Sequence, residues 1–486
     1  MARKIIDTPA RSLGEYRLLT GLTDLDRTIP GVDLSTRLCR SSEGYLTLKI
    51  PIVSAAMQAV TGSRLAIALA QYGGMGVLPC SIPIEEEAQQ VQEVKRFKGG
   101  FQTEVITLGP QDKLDRAVEL ERDTGFSTFP VTEDGSPHGR LVGLLTDKNF
   151  DPRKDGHLSV HERMISDPDV GVEITDLKEA NLLLIRYGHG VLPIVDEEGR
   201  LNAVVFKKDL EKHLDFPDER VDERKRLMVA ASVSTQLKDR DRIAASAAAG
   251  ADVIVVDSSD GYSTFQAETV EYTKEQYDLS VIAGNIITEE GFLHLAEAGA
   301  DAVKIGMGIG AGCITQEVKG TGRGQATAII EVARARDAYA ERTGTYLPII
   351  ADGGIESTGQ MVVALALGAD CLMMGRFFAG FTESEGPARR HPVHGSVKEY
   401  WMEASDRARN YGRYETTRDF FFEEGVEGFV EHIGSFYDHF GKTIRQIKAG
   451  LSSAGCCTVE ELHKNAVVEL QSVVALRDSG IHGIQK

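Results

Sequence analysis

The chain has 486 residues, of which 42% are apolar and 26% charged, and its 54 Lys plus Arg stand against 73 Asp plus Glu for a net charge of −19. That length predicts about three average domains, or one barrel of ~250 residues with a smaller companion. The absence of any run of about 18 apolar residues excludes a membrane-spanning helix, and the acidic balance argues against general binding to nucleic acid or anionic membrane, though not against a local pocket for one phosphate.

The opening MARKIIDTPARSL has no apolar core of the kind an export signal needs. The six cysteines, Cys39, Cys80, Cys313, Cys371, Cys456 and Cys457, are too sparse for a disulfide scaffold and include no Cys-x-x-Cys pair. The expected compartment is therefore a reducing cytoplasm.

Eight short apolar runs recur along the chain, each ending in small or polar residues and followed by a helix-like stretch. They are KIPIVSAAM (Lys49 to Met57), GMGVLPCS (Gly74 to Ser81), RLMVAASV (Arg226 to Val233), DVIVVDSSDG (Asp252 to Gly261), LSVIAGNI (Leu279 to Ile286), DAVKIGMG (Asp301 to Gly308), LPIIADGGI (Leu347 to Ile355) and ADCLMMGRF (Ala369 to Phe377). Continuous β-branched runs alternating with helices predict a parallel sheet covered on both faces, and eight of them predict a (β/α)8 TIM barrel of the α/β class. The recurring AGAD or LGAD before strands (Ala248 to Asp252, Ala298 to Asp301, Leu367 to Asp370) reads as a helix-ending glycine ahead of the next strand. Barrel chemistry belongs on the loops after the strands, which is where this sequence turns rich in Gly, Ser, Asp and Cys.

The second and third runs lie too far apart for one crossover helix, so a separate domain is expected to interrupt the barrel. The boundaries are 1–99 for the first part of the barrel, 100–215 for the insert and 216–486 for the rest. The insert repeats itself: GFSTFPVTEDG (Gly125 to Gly135) resembles GHGVLPIVDEEG (Gly188 to Gly199), with Pro130 and Pro193 offset by 63 residues. Two copies at that spacing mean a tandem pair, about 105–155 and 163–213, rather than a solenoid. The pair resembles cystathionine-β-synthase (CBS) modules, a resemblance that implies a purine nucleotide effector; a purely structural insertion is the alternative.

After the sixth run comes KIGMGIGAGCITQEVKGTGRGQA (Lys304 to Ala326). Gly306, Gly308 and Gly310 can adopt positive φ and turn backbone groups on a ligand. The loose Gly-x-Gly-x-x-Ala match to a dinucleotide fingerprint lacks the acidic residue some 20 positions on and is set aside. What remains is a glycine loop that presents Cys313, with Thr315 two residues away, at a barrel mouth. A flexible polar loop suits a nucleophilic thiolate better than a core does, whereas Cys39 and Cys371 read as buried hydrophobes.

These features together resemble the inosine 5′-monophosphate (IMP) dehydrogenase / GMP reductase family. The resemblance is carried by GIGAGCIT (Gly308 to Thr315), SAAM (Ser54 to Met57), DSSDG (Asp257 to Gly261), GNI (Gly284 to Ile286), ADGGI (Ala351 to Ile355), MGRF (Met374 to Phe377), RY (Arg413, Tyr414) and EEGVEG (Glu423 to Gly428), in order over nearly the whole chain. It implies oxidation of IMP with NAD as hydride acceptor, with Cys313, Thr315, Arg413 and Tyr414 catalytic. For the nucleotide it implies Ser54, Met57, Asn285, Gly312, Asp352, Gly354, Gly375, Arg376, Tyr400, Met402 and Glu424, with Asp352 on the ribose hydroxyls, Gly354, Gly375 and Arg376 on the phosphate and Glu424 on the purine edge. For the cofactor it implies Asp257, Ser258, Ser259, Phe265, Gly306 and Gly308. A potassium ion is implied on carbonyls of Gly308, Gly310 and Cys313, completed by Asp478, Ser479 and Gly480 of a neighbouring copy in a homotetramer or octamer.

The chain departs from the family pattern at Ala311-Gly312, which lacks a hydroxyl that would reach the phosphate, and at VAASV (Val229 to Val233) and Gln236 near the cofactor. GMP reductase shares the barrel and the Cys loop and is the first alternative; a catalytically silent nucleotide sensor is the second. The Arg413-Tyr414 pair and the inserted repeat favour the dehydrogenase over the reductase. Trypsin-like, zinc-hydrolase and P-loop readings fail, since Gly-x-Ser-x-Gly, His-Glu-x-x-His and Walker A motifs are absent.

Overall fold

A computed structural model of the chain describes residues 5–97, 101–102, 105–124, 126–175, 177–188, 190–207, 216–408 and 422–478. It forms two compact units, one of residues 1–95, 218–220 and 227–486, the other of residues 96–217 and 221–226.

In the first unit all eight expected runs are strands of one closed barrel. They are β1 (Ile52–Ser54), β2 (Met75–Leu78), β3 (Val229–Val233), β4 (Val253–Asp257), β5 (Ser280–Ile286), β6 (Ala302–Ile305), β7 (Ile349–Asp352) and β8 (Cys371–Met374), with β8 pairing β1 and β2 pairing β3 to close the ring. Every pairing is parallel. Both faces are covered, which is why the strands read as unbroken apolar runs. The outer layer includes α1 (Ser63–Gln71), α2 (Ile84–Phe97), α3 (Arg240–Ala249), α4 (Thr264–Gln276), α5 (Glu289–Glu297), α6 (Gln325–Thr343), α7 (Thr358–Ala366) and α8 (Phe436–Ser453). Ser263, Thr288 and Ser357 cap α4, α5 and α7 by accepting from the N–H groups of Gln266, Gly291 and Gln360.

The Gly-Ala-Asp repeat does more than end helices. Gly250, Gly299 and Gly368 take φ of +92°, +91° and +115°, as a left-handed helix end requires. The aspartate that follows each one accepts from an N–H near the start of the preceding strand: Asp252 from Val229 at 2.8 Å, Asp301 from Val281 at 2.9 Å and Asp370 from Ile349 at 2.9 Å. Each is also paired with a cation, Lys95 at 2.6 Å, Lys274 at 2.7 Å and Arg336 at 3.1 Å. These three ion pairs ring the end of the barrel opposite the loops that follow the strands, and that end is plugged by the hairpin Thr36–Ser41 and Gly44–Leu48, whose Thr36 hydroxyl donates to the Asp370 carbonyl.

The second unit is two copies of one motif. Each has a helix, Leu114–Thr124 or Leu177–Tyr187, followed by an antiparallel strand pair, Thr128–Thr132 with Leu141–Thr146 or Val191–Val195 with Leu201–Phe206. The copies agree down to the register irregularity, which falls at Val131/Thr132 in one and Ile194/Val195 in the other. Each copy has its own small apolar core, around Phe129 and Leu145 in the first and Leu192 and Val205 in the second. Among the described residues no helix is long and apolar enough to cross a membrane.

Candidate active site

The loops after the barrel strands enclose a cavity of ≈ 290 Å3. Seventeen of the expected site residues line it: Met57, Asp257, Ser258, Ser259, Asn285, Gly306, Gly308, Gly310, Cys313, Thr315, Asp352, Gly354, Gly375, Arg376, Tyr400, Met402 and Glu424. Residues separated by more than 350 positions thus share one wall, because a barrel brings all its strand ends to one face.

The Cys loop is held from both sides. Gly306 has φ +143°, and a Cβ there would lie 2.1 Å from the Asp352 carbonyl oxygen, so only glycine lets the strand end pass β7. Farther along, the N–H of Ile314 donates to the Glu424 carbonyl at 2.9 Å and that of Val426 to the Gly312 carbonyl at 3.0 Å, with Cys313 bridged to Gly425. This short antiparallel ladder fixes Cys313 against the segment that carries Glu424.

Cys313 is half-buried, and its Sγ lies 3.0 Å from Oγ1 of Thr315. The Thr315 hydroxyl donates to Oε2 of Glu424 at 3.1 Å, so the contact with sulfur must use a lone pair of Oγ1 and the thiol is the donor. The chain runs one way, from S–H through O–H to carboxylate, and a proton leaving Cys313 has an acceptor two bonds away. Thr315 is buried, and Lys319 stands 3.5 Å from the same Glu424 oxygen. The resemblance implies that Glu424 meets the purine edge; it lines the cavity, and its Oε2 faces the nucleophile's neighbour. By contrast Cys39 and Cys371 are fully buried, and burial pushes Cys39 up to about 12 and Cys371 also well above the ordinary thiol range.

Across the cavity Asp352 and Asp257 end β7 and β4, and between them stands Lys304 of β6, a residue the sequence reading passed over. Its ammonium is 2.7 Å from each of the two carboxylates. Burial would depress a lysine, but Asp257 and Asp352 outweigh it and hold Lys304 above its usual range. The signal was available: a lysine inside an otherwise apolar strand buried on both faces must find anionic partners. Arg376 is exposed, one residue after Gly375, and brings a positive charge to the cavity wall that Gly354 also lines. Burial also keeps the Tyr400 phenol protonated beside Met57.

Three expected residues are not on the cavity wall. Ser54 is buried behind it, hydrogen-bonded to the Thr61 hydroxyl at 2.8 Å; Gly312 is turned into the ladder with Val426; and Phe265 lies exposed on the first turn of α4. Arg413, Tyr414, Ser479 and Gly480 fall outside the described residues, and Asp478 ends the last described helix, Val473–Asp478. The Gly308 carbonyl accepts from the Gln316 amide at 2.6 Å and the Gly310 carbonyl from the Cys313 N–H at 3.1 Å. Among the described residues no group of three or more His, Cys, Asp or Glu side chains is arranged to hold a metal ion.

The IMP dehydrogenase / GMP reductase domain family matches residues 15–482. The chain is 39% identical to inosine-5′-monophosphate dehydrogenase of Tritrichomonas foetus over 492 residues, which span 99% of this chain and 97% of that one. It is 36% identical to the enzyme of the same name from Aquifex aeolicus, covering 93% of this chain and 92% of the relative. Among solved structures, a GMP reductase variant from Trypanosoma brucei in complex with guanosine 5′-monophosphate superimposes with a TM-score of 0.87 at 29% identity, covering 98% of each chain. That coverage includes the inserted unit, so the insert does not separate the two chemistries as the sequence reading expected.

Proposed function

The chain belongs to the IMP dehydrogenase / GMP reductase family, and we propose that within it this chain oxidises IMP to xanthosine 5′-monophosphate with NAD+ as hydride acceptor. The observation that carries this reading is the directed Cys313–Thr315–Glu424 chain on the wall of a cavity that is also lined by the carboxylates of Asp257 and Asp352.

Carbon 2 of the hypoxanthine ring is electron-poor. The Cys313 proton passes through Thr315 to Glu424 as the sulfur adds to that carbon, and the carbon's hydrogen leaves with its electron pair to the nicotinamide. The resulting thioimidate takes up water, the C–S bond breaks, and the sulfur recovers a proton along the same path. Water needs a base of its own, and Arg413 with Tyr414 is the pair we assign to it on sequence. Asp352 takes the vicinal hydroxyls of IMP, Gly354, Gly375 and Arg376 its phosphate, and Met57, Asn285 and Met402 flank the purine. Asp257, Ser258 and Ser259 take the nicotinamide ribose, and Phe265 and Gln236 lie toward the adenosine.

A potassium ion fits the neutral carbonyl donors of Gly308, Gly310 and Cys313, and the Gly308 and Gly310 carbonyls each keep a second lone pair beyond the hydrogen bond they accept. When bound it steadies the Cys loop, with Asp478, Ser479 and Gly480 of a neighbouring copy completing the shell in a homotetramer or octamer. We assign the inserted pair to a purine nucleotide effector and the chain to the cytoplasm.

The whole-chain likeness to a GMP reductase supports the second reading, reductive deamination of GMP with NADPH. Incubation with IMP and NAD+, followed by absorbance of the reduced cofactor, decides between them, with GMP and NADPH as the opposing pair. Turnover only with the second pair would overturn the dehydrogenase.

A further inference from the structure

Lys304 reaches inward from β6 with its side chain 2% exposed. Its ammonium contacts Oδ1 of Asp257 and Oδ2 of Asp352, each at 2.7 Å, and its third partner is Oδ1 of Asn285. An ammonium has three N–H donors, so these three acceptors use all of them and leave none for a ligand. Asn285 closes the network by donating to Asp352 Oδ2 at 3.0 Å and to the Gly306 carbonyl at 2.7 Å. Both bonds to Asp352 fall on Oδ2, which leaves Oδ1 for a ligand hydroxyl.

Two carboxylates that touch the same nitrogen atom are close neighbours. Without a cation between them they repel, and the usual outcome is that one of the pair keeps a proton at neutral pH. A protonated Asp352 loses acceptor strength toward a vicinal diol. The chemistry proposed above never routes a proton or a ligand contact through Lys304; its buried ammonium is offset by the carboxylates on either side, which it in turn keeps from repelling each other.

We infer that Lys304 is a positioning residue that couples the two ribose sites, letting Asp352 and Asp257 stay ionised side by side so that nucleotide and dinucleotide can be held together. The inference rests on the assignment of Asp352 to IMP and Asp257 to the dinucleotide. It carries a specific consequence: the charge on Asp257, which does not touch IMP, controls IMP affinity once Lys304 is gone.

The test is IMP binding by calorimetry, without dinucleotide, for the wild-type chain, Lys304→Met, Lys304→Met/Asp257→Asn and Lys304→Met/Asp352→Asn, each over a pH series. Lys304→Met should weaken IMP binding by about tenfold or more at neutral pH, and affinity should recover by up to about tenfold per pH unit as the shared proton is lost, a slope absent from the wild-type protein. Neutralising the neighbour in Lys304→Met/Asp257→Asn should restore affinity to near wild type and flatten that slope, whereas the Asp352→Asn double variant should stay weak. Should Lys304→Met fail to fold, a folded, IMP-binding Lys304→Met/Asp257→Asn still supports the coupling, and a double variant that folds without binding IMP overturns it. Equal binding by wild type and Lys304→Met overturns the coupling alone. Failure of the wild-type chain to bind IMP overturns the functional reading on which it stands.

Discussion

Sγ of Cys313 lies 3.0 Å from the Thr315 hydroxyl, whose own proton is committed to Glu424. Proton transfer away from sulfur therefore depends on both neighbours. Thr315→Val keeps the shape and removes the relay, and Glu424→Gln removes its terminus. Each should lower kcat by about 10²-fold or more, the usual worth of a positioned acid–base group. Each should also slow alkylation of Cys313 by iodoacetamide. Wild-type alkylation rates in both variants would show that the contact is only packing.

The cysteines separate by reactivity. Cys313 is half-buried, whereas burial drives Cys39 up to about 12 and Cys371 also above its usual range. Of the two half-buried cysteines, Cys313 and Cys457, Cys313 should be the one that IMP protects from alkylation. Cys313→Ser should abolish turnover while leaving IMP binding nearly intact, since ribose and phosphate contacts lie elsewhere. A purine adduct trapped on Cys80 or Cys371 would refute the assignment.

How far these features were legible depends on what each one rests upon. The eight strands could be read because a strand buried on both faces leaves an apolar run that no other element imitates at that length and spacing. Cys313 could be read from its local loop. That Lys304 needs anionic partners could be read from its place in an apolar strand, but which ones could not, because Asp257 and Asp352 sit on strands distant in the chain and meet it only when the barrel closes. The aspartates of the Gly-Ala-Asp repeat were visible as letters, but their bonds to strands β3, β5 and β7 are long-range and needed coordinates. Resemblance put Ser54 and Phe265 at the site, where burial behind Thr61 and exposure on α4 keep them off the cavity wall.

The Gly-Ala-Asp ion pairs offer a graded stability test. Removing Asp370 leaves Arg336, whose side chain is 4% exposed, with only the exposed Asp337 at 2.9 Å as anionic partner, whereas removing Asp301 leaves Lys274 34% exposed and able to reach water. Breaking a buried pair typically costs about 3–5 kcal/mol, because the orphaned charge stays desolvated. Asp370→Ala should therefore lower the melting temperature more than Asp301→Ala. Equal shifts would mean that the lost N–H bonds to Ile349 and Val281, which the two variants share, dominate.

If the proposed potassium site is split between the Cys loop and a neighbouring copy's C-terminal segment, catalysis should depend on potassium. Activity should rise with potassium over sodium or tetramethylammonium at equal ionic strength. Truncation after Leu476 should remove that rise while leaving IMP binding measurable. Equal rates in all three cations would remove the ion from the account.

The two half-reactions can be pulled apart at Arg413, which lies outside the described residues and is assigned on sequence. Hydride transfer precedes hydrolysis, so a variant defective only in water activation still reduces one equivalent of NAD+ per site before it stops. Arginine ordinarily keeps its proton, so a role as base requires that the closed site favour its neutral form, and no ordinary substitute supplies that. Arg413→Ala should therefore give a full burst of NADH followed by a stall, with the thioimidate on Cys313 detectable as a mass increase on the intact chain. Raising the pH should partly restore turnover, because hydroxide then replaces activated water. A variant that loses the burst along with the steady state would place Arg413 in binding or hydride transfer, and the base would have to be sought along the Thr315–Glu424 path instead.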